Sequence, residues 1–266
     1  MSIGFPTNTV LLIIATMIAS GTGAWFILSQ GLERLPLAQP ARRKWRWGAA
    51  ILLSTWLLAR LALAAYPPGV AVLATQFLIT FTFLGLGLLV GILLLLISPV
   101  FRQIIRAVPE TWLVGIHTVR LTGFLFLALM EMKLLPPEFA LSAGYGDMTV
   151  GLLALGMVYL LAKRKPYARA LGMGWNGLGL LDFVAALTTG GIYIVPFAAQ
   201  LAESGVSLYY LNYVLIVPSF GVPLYALLHI YSLFQMSSRR MDETKQEAEE
   251  PVQAPVFPGQ QRSAQS

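Results

Sequence analysis

The stretch Val70–Ile97, VAVLATQFLITFTFLGLGLLVGILLLLI, contains no charged residue. A helix of roughly 20 apolar residues crosses the hydrocarbon core of a bilayer, so this stretch is long enough to span one with some tilt. Because lipid offers no hydrogen-bond partner to the backbone, a helix is the conformation expected for it. The stretch therefore predicts a transmembrane helix.

The composition of the whole chain indicates the same environment. Hydrophobic residues make up 57% of the sequence and charged residues 11%, and the mean hydropathy is +0.71. The pI of about 9.7 comes from short basic clusters between apolar runs, which favours topology signals over a nucleic-acid partner. The absence of cysteine excludes disulfides, thiolate nucleophiles and Cys-ligated metals. The first nine residues contain no Lys or Arg, so the first apolar run predicts a retained span and not a cleaved signal.

Seven apolar stretches are long enough to span a bilayer, which predicts an all-α, polytopic transmembrane helix bundle over residues 1–236. From residue 237 to 266 the chain is rich in Glu, Gln, Pro and Ser, which predicts a disordered cytoplasmic tail. The stretch from Ile192 to Ser207 is consistent with a loop or with an amphipathic surface segment. The predicted spans are Asn8–Leu28, Trp47–Tyr66, Val70–Ile97, Thr111–Met132, Phe139–Ala162, Ala170–Gly190 and Ser207–Phe234.

Basic residues follow every odd-numbered span, whereas the loops after the even-numbered spans contain almost none. Cytoplasmic loops carry an excess of Lys and Arg, so the N-terminus is predicted outside and the C-terminus in the cytoplasm. Six or eight spans would break this alternation. The basic residues concerned are Arg34, Arg42, Arg43, Lys44, Arg46, Arg102, Arg106, Lys163, Arg164, Lys165, Arg169, Arg239, Arg240 and Lys245.

Three ionisable residues lie at similar depth in successive spans: Arg120, Asp147 and Asp182. Charged side chains inside a bilayer are costly and usually face the bundle interior, and each aspartate shares a helix face with small residues that allow close packing. We therefore predict that the three side chains form one buried cluster. The two small-residue faces are Ala140, Ala143, Gly144, Asp147, Gly151 and Ala154, and Gly172, Asn176, Gly179, Asp182 and Ala186.

One guanidinium cannot neutralise two carboxylates, so one aspartate is expected to hold a proton or to meet a cation or substrate amine. The alternative is that the cluster only fixes the registry of the helices. His117 and His229 lie nearer the predicted cytoplasmic side with Asn176, and together they suggest a proton path. A b-type haem held by His117 and His229 is the minor alternative, and no other cofactor or metal is predicted. Arg60 and Glu131 are expected to snorkel to the headgroups.

The sequence contains no H-E-x-x-H and no G-x-S-x-G, and the last span has no lysine for a retinal Schiff base. Intramembrane proteolysis and esterase chemistry therefore have no sequence support, and a function without catalysis is the stronger expectation. Several motifs of the second half, between Arg120 and Leu233, resemble a family of uncharacterised bacterial integral membrane proteins without an assigned activity. That resemblance implies the bacterial inner membrane and no mechanism. The motifs are Arg120-x-x-Gly123, Leu135-Pro-Pro-Glu-Phe-Ala140, Ala143-Gly-Tyr-Gly-Asp147-x-x-x-Gly151, Asn176-x-x-Gly179-x-x-Asp182, and Val222-Pro223 with His229.

The sequence thus predicts a multi-pass protein of the inner (plasma) membrane whose environment is the lipid bilayer. The best functional hypothesis is small-molecule or proton-linked transport through a centre formed by Arg120, Asp147 and Asp182. The alternative is a membrane-embedded sensor or an assembly and interaction protein without catalytic activity. Whether the protein forms an oligomer is left open.

Overall fold

A computed structural model describes residues 7–66 and 70–249, and the described residues form helices with no strand among them. Seven helical segments are long and apolar enough to cross a membrane, which confirms the predicted all-helical architecture and the number of apolar segments. We number these candidate spans 1 to 7 in chain order. Five of them are single helices, namely span 1 (Thr7–Glu33), span 2 (Gln39–Ala64), span 3 (Val70–Ile97), span 5 (Pro137–Ala162) and span 6 (Ala168–Glu203).

Spans 4 and 7 are composite. Span 4 consists of an α-helix at Glu110–Gly115, a 3₁₀ segment at Ile116–Gly123 and an α-helix at Phe124–Glu131. Span 7 begins with an α-helix at Tyr209–Val214, passes through a π-helical turn at Val217–Gly221 and continues as the helix Val222–Glu249. Irregular turns of this kind are often found at functional sites, and here they occur in the two spans that carry the histidines.

A short helix at Pro99–Ala107 follows span 3. The hydroxyl of Ser98 accepts a hydrogen bond from the backbone N–H of Phe101 at 3.2 Å, and Pro99 occupies the first helical position, where its missing N–H costs nothing. Phe101, Ile104 and Ile105 are buried against the bundle. Gln235 of span 7 fixes the end of this helix, because its side-chain N–H group donates to backbone carbonyls there, including that of Ile105 at 2.8 Å.

Span 7 lies at the centre of the bundle. Within its most apolar window 78% of the residues are buried, against 17% for spans 2 and 3. The outward faces of the peripheral spans carry large exposed apolar side chains, among them Leu58, Leu78, Leu152 and Leu181. A core cluster joins the beginnings of the odd-numbered spans to the ends of spans 4 and 6. We call that end of the bundle the N face and the opposite end the C face.

Span 6 differs from the sequence expectation. Neither a loop nor a separate segment follows Gly190, because a single helix continues through Pro196 to Glu203. A proline inside a helix removes one backbone hydrogen bond. On either side of Pro196, Ile194 and Ala198 are buried in the core cluster at the N face. That packing keeps the helix continuous.

The predicted boundary between bundle and tail at residue 237 falls within the last helix, which extends to Glu249. The remainder of the predicted tail, residues 250–266, lies outside the described residues. The division of the chain into a bundle and a disordered tail therefore stays a prediction.

Candidate functional site

Arg120 lies in the 3₁₀ segment of span 4, where the backbone of that span passes very close to span 5. A Cβ added at Gly123 would lie 2.8 Å from the backbone oxygen of Gly144, and one added at Gly151 would lie 2.9 Å from the backbone nitrogen of Leu121. Glycine is thus required on both sides of the contact. The close approach places the Arg120 side chain beside the acidic face of span 5.

The structure brings Arg120, Asp147 and Asp182 together from spans 4, 5 and 6. Nε of Arg120 donates to Oδ1 of Asp147 at 2.7 Å, and Nη2 donates to Oδ2 of Asp182. The guanidinium also lies over the ring of Phe183, with Cζ 4.1 Å from the ring centroid. The side chain of Arg120 is only 2% exposed, so both ion pairs are largely shielded from solvent and are stronger than surface pairs.

His229 of span 7 is the third partner of the guanidinium. Nη1 of Arg120 lies 3.1 Å from Nε2 of His229, and Nδ1 of His229 lies 2.8 Å from Oδ1 of Asn176. Arginine can only donate, so Nε2 must accept, and Nδ1 must carry the proton that is donated to Asn176. The hydrogen-bond network therefore assigns a neutral His229 with its proton on Nδ1.

Asn176 extends this network toward the C face. Its side-chain N–H group donates to the backbone oxygen of Gly172 at 2.8 Å and to Oγ of Ser232 at 3.0 Å. Both donations fit the assigned orientation of the amide, whose oxygen accepts from His229. Asp147, Arg120, His229, Asn176 and Ser232 thus form a continuous hydrogen-bonded chain across spans 4 to 7.

His117 joins the cluster without a hydrogen bond. Its ring is fully buried and packs on the ring of His229, with centroids 3.9 Å apart, and neither ring nitrogen has a partner among the described residues. His117 and Arg120 are three positions apart, which places them on one side of a 3₁₀ helix.

The contact between the imidazole rings of His117 and His229 leaves no gap for a haem plane, and both ring nitrogens of His229 already form hydrogen bonds. This arrangement does not fit the minor alternative of a bis-histidine haem.

A cavity of about 90 Å³ lies on the N-face side of the cluster. Arg120, Asp147 and Asp182 supply its charged wall, and apolar residues such as Ile13, Phe139 and Ile194 line the part nearer the N face. Among the described residues no group of three or more His, Asp or Glu side chains could hold a metal ion. The cavity is large enough for a few water molecules or one small cation or amine.

Arg60 is the buried charge that the sequence analysis interpreted incorrectly. It does not snorkel, because the residue is 0% exposed and its guanidinium donates to Oγ of Ser219 at 2.9 Å, Oε1 of Gln76 at 3.1 Å and the backbone oxygen of Asn212 at 3.3 Å. All three acceptors are neutral. Glu131, for which the same snorkelling was expected, is exposed. The polar residues Gln76 and Ser219 within apolar spans were the signal that could have indicated this second buried site.

The family model described as "Domain of unknown function (DUF8737)" matches residues 76–237, which is more than half of the chain. The chain belongs to this family. No curated protein and no solved structure gave a match. The DUF8737 region contains Arg120, Asp147, Asp182, Asn176 and both histidines. It thus contains all of the hydrogen-bonded cluster, while spans 1 and 2 precede it.

Proposed function

We propose that this DUF8737 protein is a bacterial inner-membrane protein with seven spans, its N-terminus outside and its C-terminus in the cytoplasm. The large exposed apolar side chains on spans 2, 3, 5 and 6 support insertion into lipid, which removes them from water. The basic residues after each odd-numbered span support the orientation. In this orientation the N face of the bundle is the outer one.

Within that membrane setting, the protein transports a small cation or amine in a process linked to protons. The observation that supports this proposal is a guanidinium bound by two carboxylates at the wall of a cavity. With His229 neutral and both carboxylates ionised, Arg120, Asp147 and Asp182 together carry one net negative charge. A buried net charge is costly, so the site is expected to take up one proton or one monovalent cation.

The route through the site follows from the position of the cavity. A solute enters from the N face along the apolar wall and meets the two carboxylates together with the Arg120 guanidinium that pairs with both of them. The chain from Arg120 through His229 and Asn176 to Ser232 leads from the same site toward the C face. Protonation of one aspartate frees one donor of Arg120, so binding of a proton and binding of a cation compete for the same carboxylates.

Purified protein in proteoliposomes tests the proposal. The vesicles contain a pH-sensitive dye, a potassium gradient with valinomycin sets the potential, and proton flux is followed over a series of pH values with and without monovalent cations and small amines. We expect Asp147→Asn and Asp182→Asn to abolish the pH-dependent part of the flux. Glu138→Gln makes the same chemical change at an exposed position on span 5 and should leave flux unchanged. If both aspartate variants transport as the wild type does, the proposal fails.

The alternative class, a membrane-embedded sensor or assembly protein, is favoured by the continuation of the last helix to Glu249, through a stretch that is polar and charged in sequence from Ser237 onward. Such a protein would need the helical extension for its output, whereas a transporter would not. Truncation after Arg240 therefore separates the two classes. Undiminished flux in the truncated protein supports transport, and absence of any flux in the full-length protein favours the alternative.

A further inference from the structure

A second, larger cavity of about 530 Å³ lies between spans 2 and 3, and its lining includes no residue of the charged cluster. The two spans meet toward the N face, where the side-chain N–H group of Gln76 donates to the backbone oxygen of Leu63 at 3.1 Å and the Trp56 ring packs directly on Gly87. Toward the C face they diverge. Spans 1 and 7 and the short helix Pro99–Ala107 form the floor of the resulting cleft.

The chemistry of this cleft is that of an amphiphile site. Its lining is apolar apart from one charged residue, Lys44, which lies at the C-face end and is exposed. Arg43 beside it is exposed as well, while the acidic residue nearby, Glu33, already forms ion pairs with Arg42 and Arg46. The mouth of the cleft therefore presents positive charge, and the interior presents only apolar surface.

The dimensions fit a single lipid chain. From Lys44 to Trp56 the helix of span 2 rises about 18 Å, close to the roughly 15 Å of hydrocarbon in one bilayer leaflet. The volume falls within the range of about 300–1,000 Å³ typical of ligand pockets. The Trp56 ring on Gly87 narrows the cleft toward the N face, so the long apolar part of the cleft lies between Trp56 and Lys44.

We propose that this cleft binds one anionic phospholipid of the inner leaflet, with its phosphate at Lys44 and one acyl chain between spans 2 and 3. The proposal rests on the membrane location given above but not on transport. An exposed lysine near a membrane surface contributes attraction to anionic lipid that corresponds to about a fivefold preference, and the apolar cleft supplies the remaining affinity. Lipid bound there would fill the gap between two spans that contact each other only toward one end.

Native mass spectrometry of the full-length protein in detergent micelles tests this site. The probe is an equimolar mixture of phosphatidylglycerol and phosphatidylcholine with identical acyl chains. We expect the wild type to retain one lipid and to prefer phosphatidylglycerol by about fivefold. Lys44→Gln should abolish the preference while leaving the retained lipid in place. The readout is lipid retention and not flux, so a failed transport experiment leaves this test intact.

A pair of glycine substitutions provides the matched control. An added Cβ atom meets nothing within 4 Å at Gly48, which lines the cleft, or at Gly156 on the outward face of span 5. Gly48→Phe should fill the cleft and remove the retained lipid, whereas Gly156→Phe should bind as the wild type does. A wild type without headgroup preference, or equal retention by Gly48→Phe and Gly156→Phe, would overturn the proposal.

Discussion

Replacement of Arg120 by methionine should be among the most destabilising single changes in the protein. The variant keeps an unbranched apolar stem but leaves two carboxylates and Nε2 of His229 without their donor. Removing one partner of a buried ion pair typically costs about 3–5 kcal/mol, since the remaining charge is uncompensated. Because Asp182 is only 8% exposed and a second carboxylate lies beside it, we expect the upper part of that range.

Arg60 supplies the comparison for this prediction, because it is equally buried but has only neutral acceptors. Arg60→Met removes a donor from the side-chain oxygen of Gln76 and from the backbone oxygen of Asn212, while the Ser219 hydroxyl still donates to the backbone within its own span. An unpaired neutral group costs about 1–3 kcal/mol, and removal of an uncompensated cation offsets part of this loss. Arg60→Met should therefore cost clearly less than Arg120→Met.

Unfolding by sodium dodecyl sulfate in mixed micelles, followed by circular dichroism, measures both free energies of unfolding. The triple variant Arg120→Met, Asp147→Asn, Asp182→Asn serves as the internal control, because it removes the charges along with their donor. It should recover at least half of the stability that Arg120→Met loses. The reasoning is refuted if Arg60→Met is the more destabilising single change, or if the triple variant is no more stable than Arg120→Met.

Two further changes have distinct expected results. Gly123→Ala should lower the free energy of unfolding by about 1–3 kcal/mol, because the added Cβ would press on the backbone oxygen of Gly144. Gly156→Ala, whose Cβ would lie in open space, should cost nothing. Thermal unfolding of both variants checks this prediction, and equal melting temperatures would contradict it. His229→Phe should lower the free energy of unfolding by about 1–3 kcal/mol, because Arg120 and Asn176 each lose a hydrogen-bond partner. His117→Phe loses no hydrogen bond and should cost less. If unfolding in detergent shows the larger loss of stability for His117→Phe, the assigned network is ruled out.

The helical architecture could be predicted from the sequence because a single physical rule governs it. Apolar stretches of sufficient length must form helices in lipid, and each of the seven stretches does form one. The ends of the helices were harder to predict. Span 6 continues through Pro196 because packing of Ile194 and Ala198 outweighs one lost hydrogen bond, and packing between distant segments is not visible in a local pattern.

The cluster of Arg120 with Asp147 and Asp182 could also be predicted, because charge inside apolar spans restricts the possible partners and the small residues identify the packing faces. The 3₁₀ conformation around Arg120 could not be predicted. It depends on the contact with Gly144 and Gly151 of span 5, which is a tertiary effect. The position of Arg60 near the end of its span led to the wrong prediction that its side chain snorkels to the headgroups. Its guanidinium is buried instead, because neutral acceptors from spans 3 and 7 form hydrogen bonds with it.

The two buried arginines differ in whether their hydrogen-bond partners belong to titratable side chains. The Arg60 guanidinium meets only neutral oxygens, none of which exchanges a proton near neutral pH, so its surroundings have one charge state and can only hold spans 2, 3 and 7 together. Arg120 connects two carboxylates that line a cavity with an imidazole that leads away from it. All three of these partners can change protonation state. A change at any one of them alters how many hydrogen bonds the guanidinium must supply to the others, and this shared donor is what would link uptake of a cation on one side to release of a proton on the other.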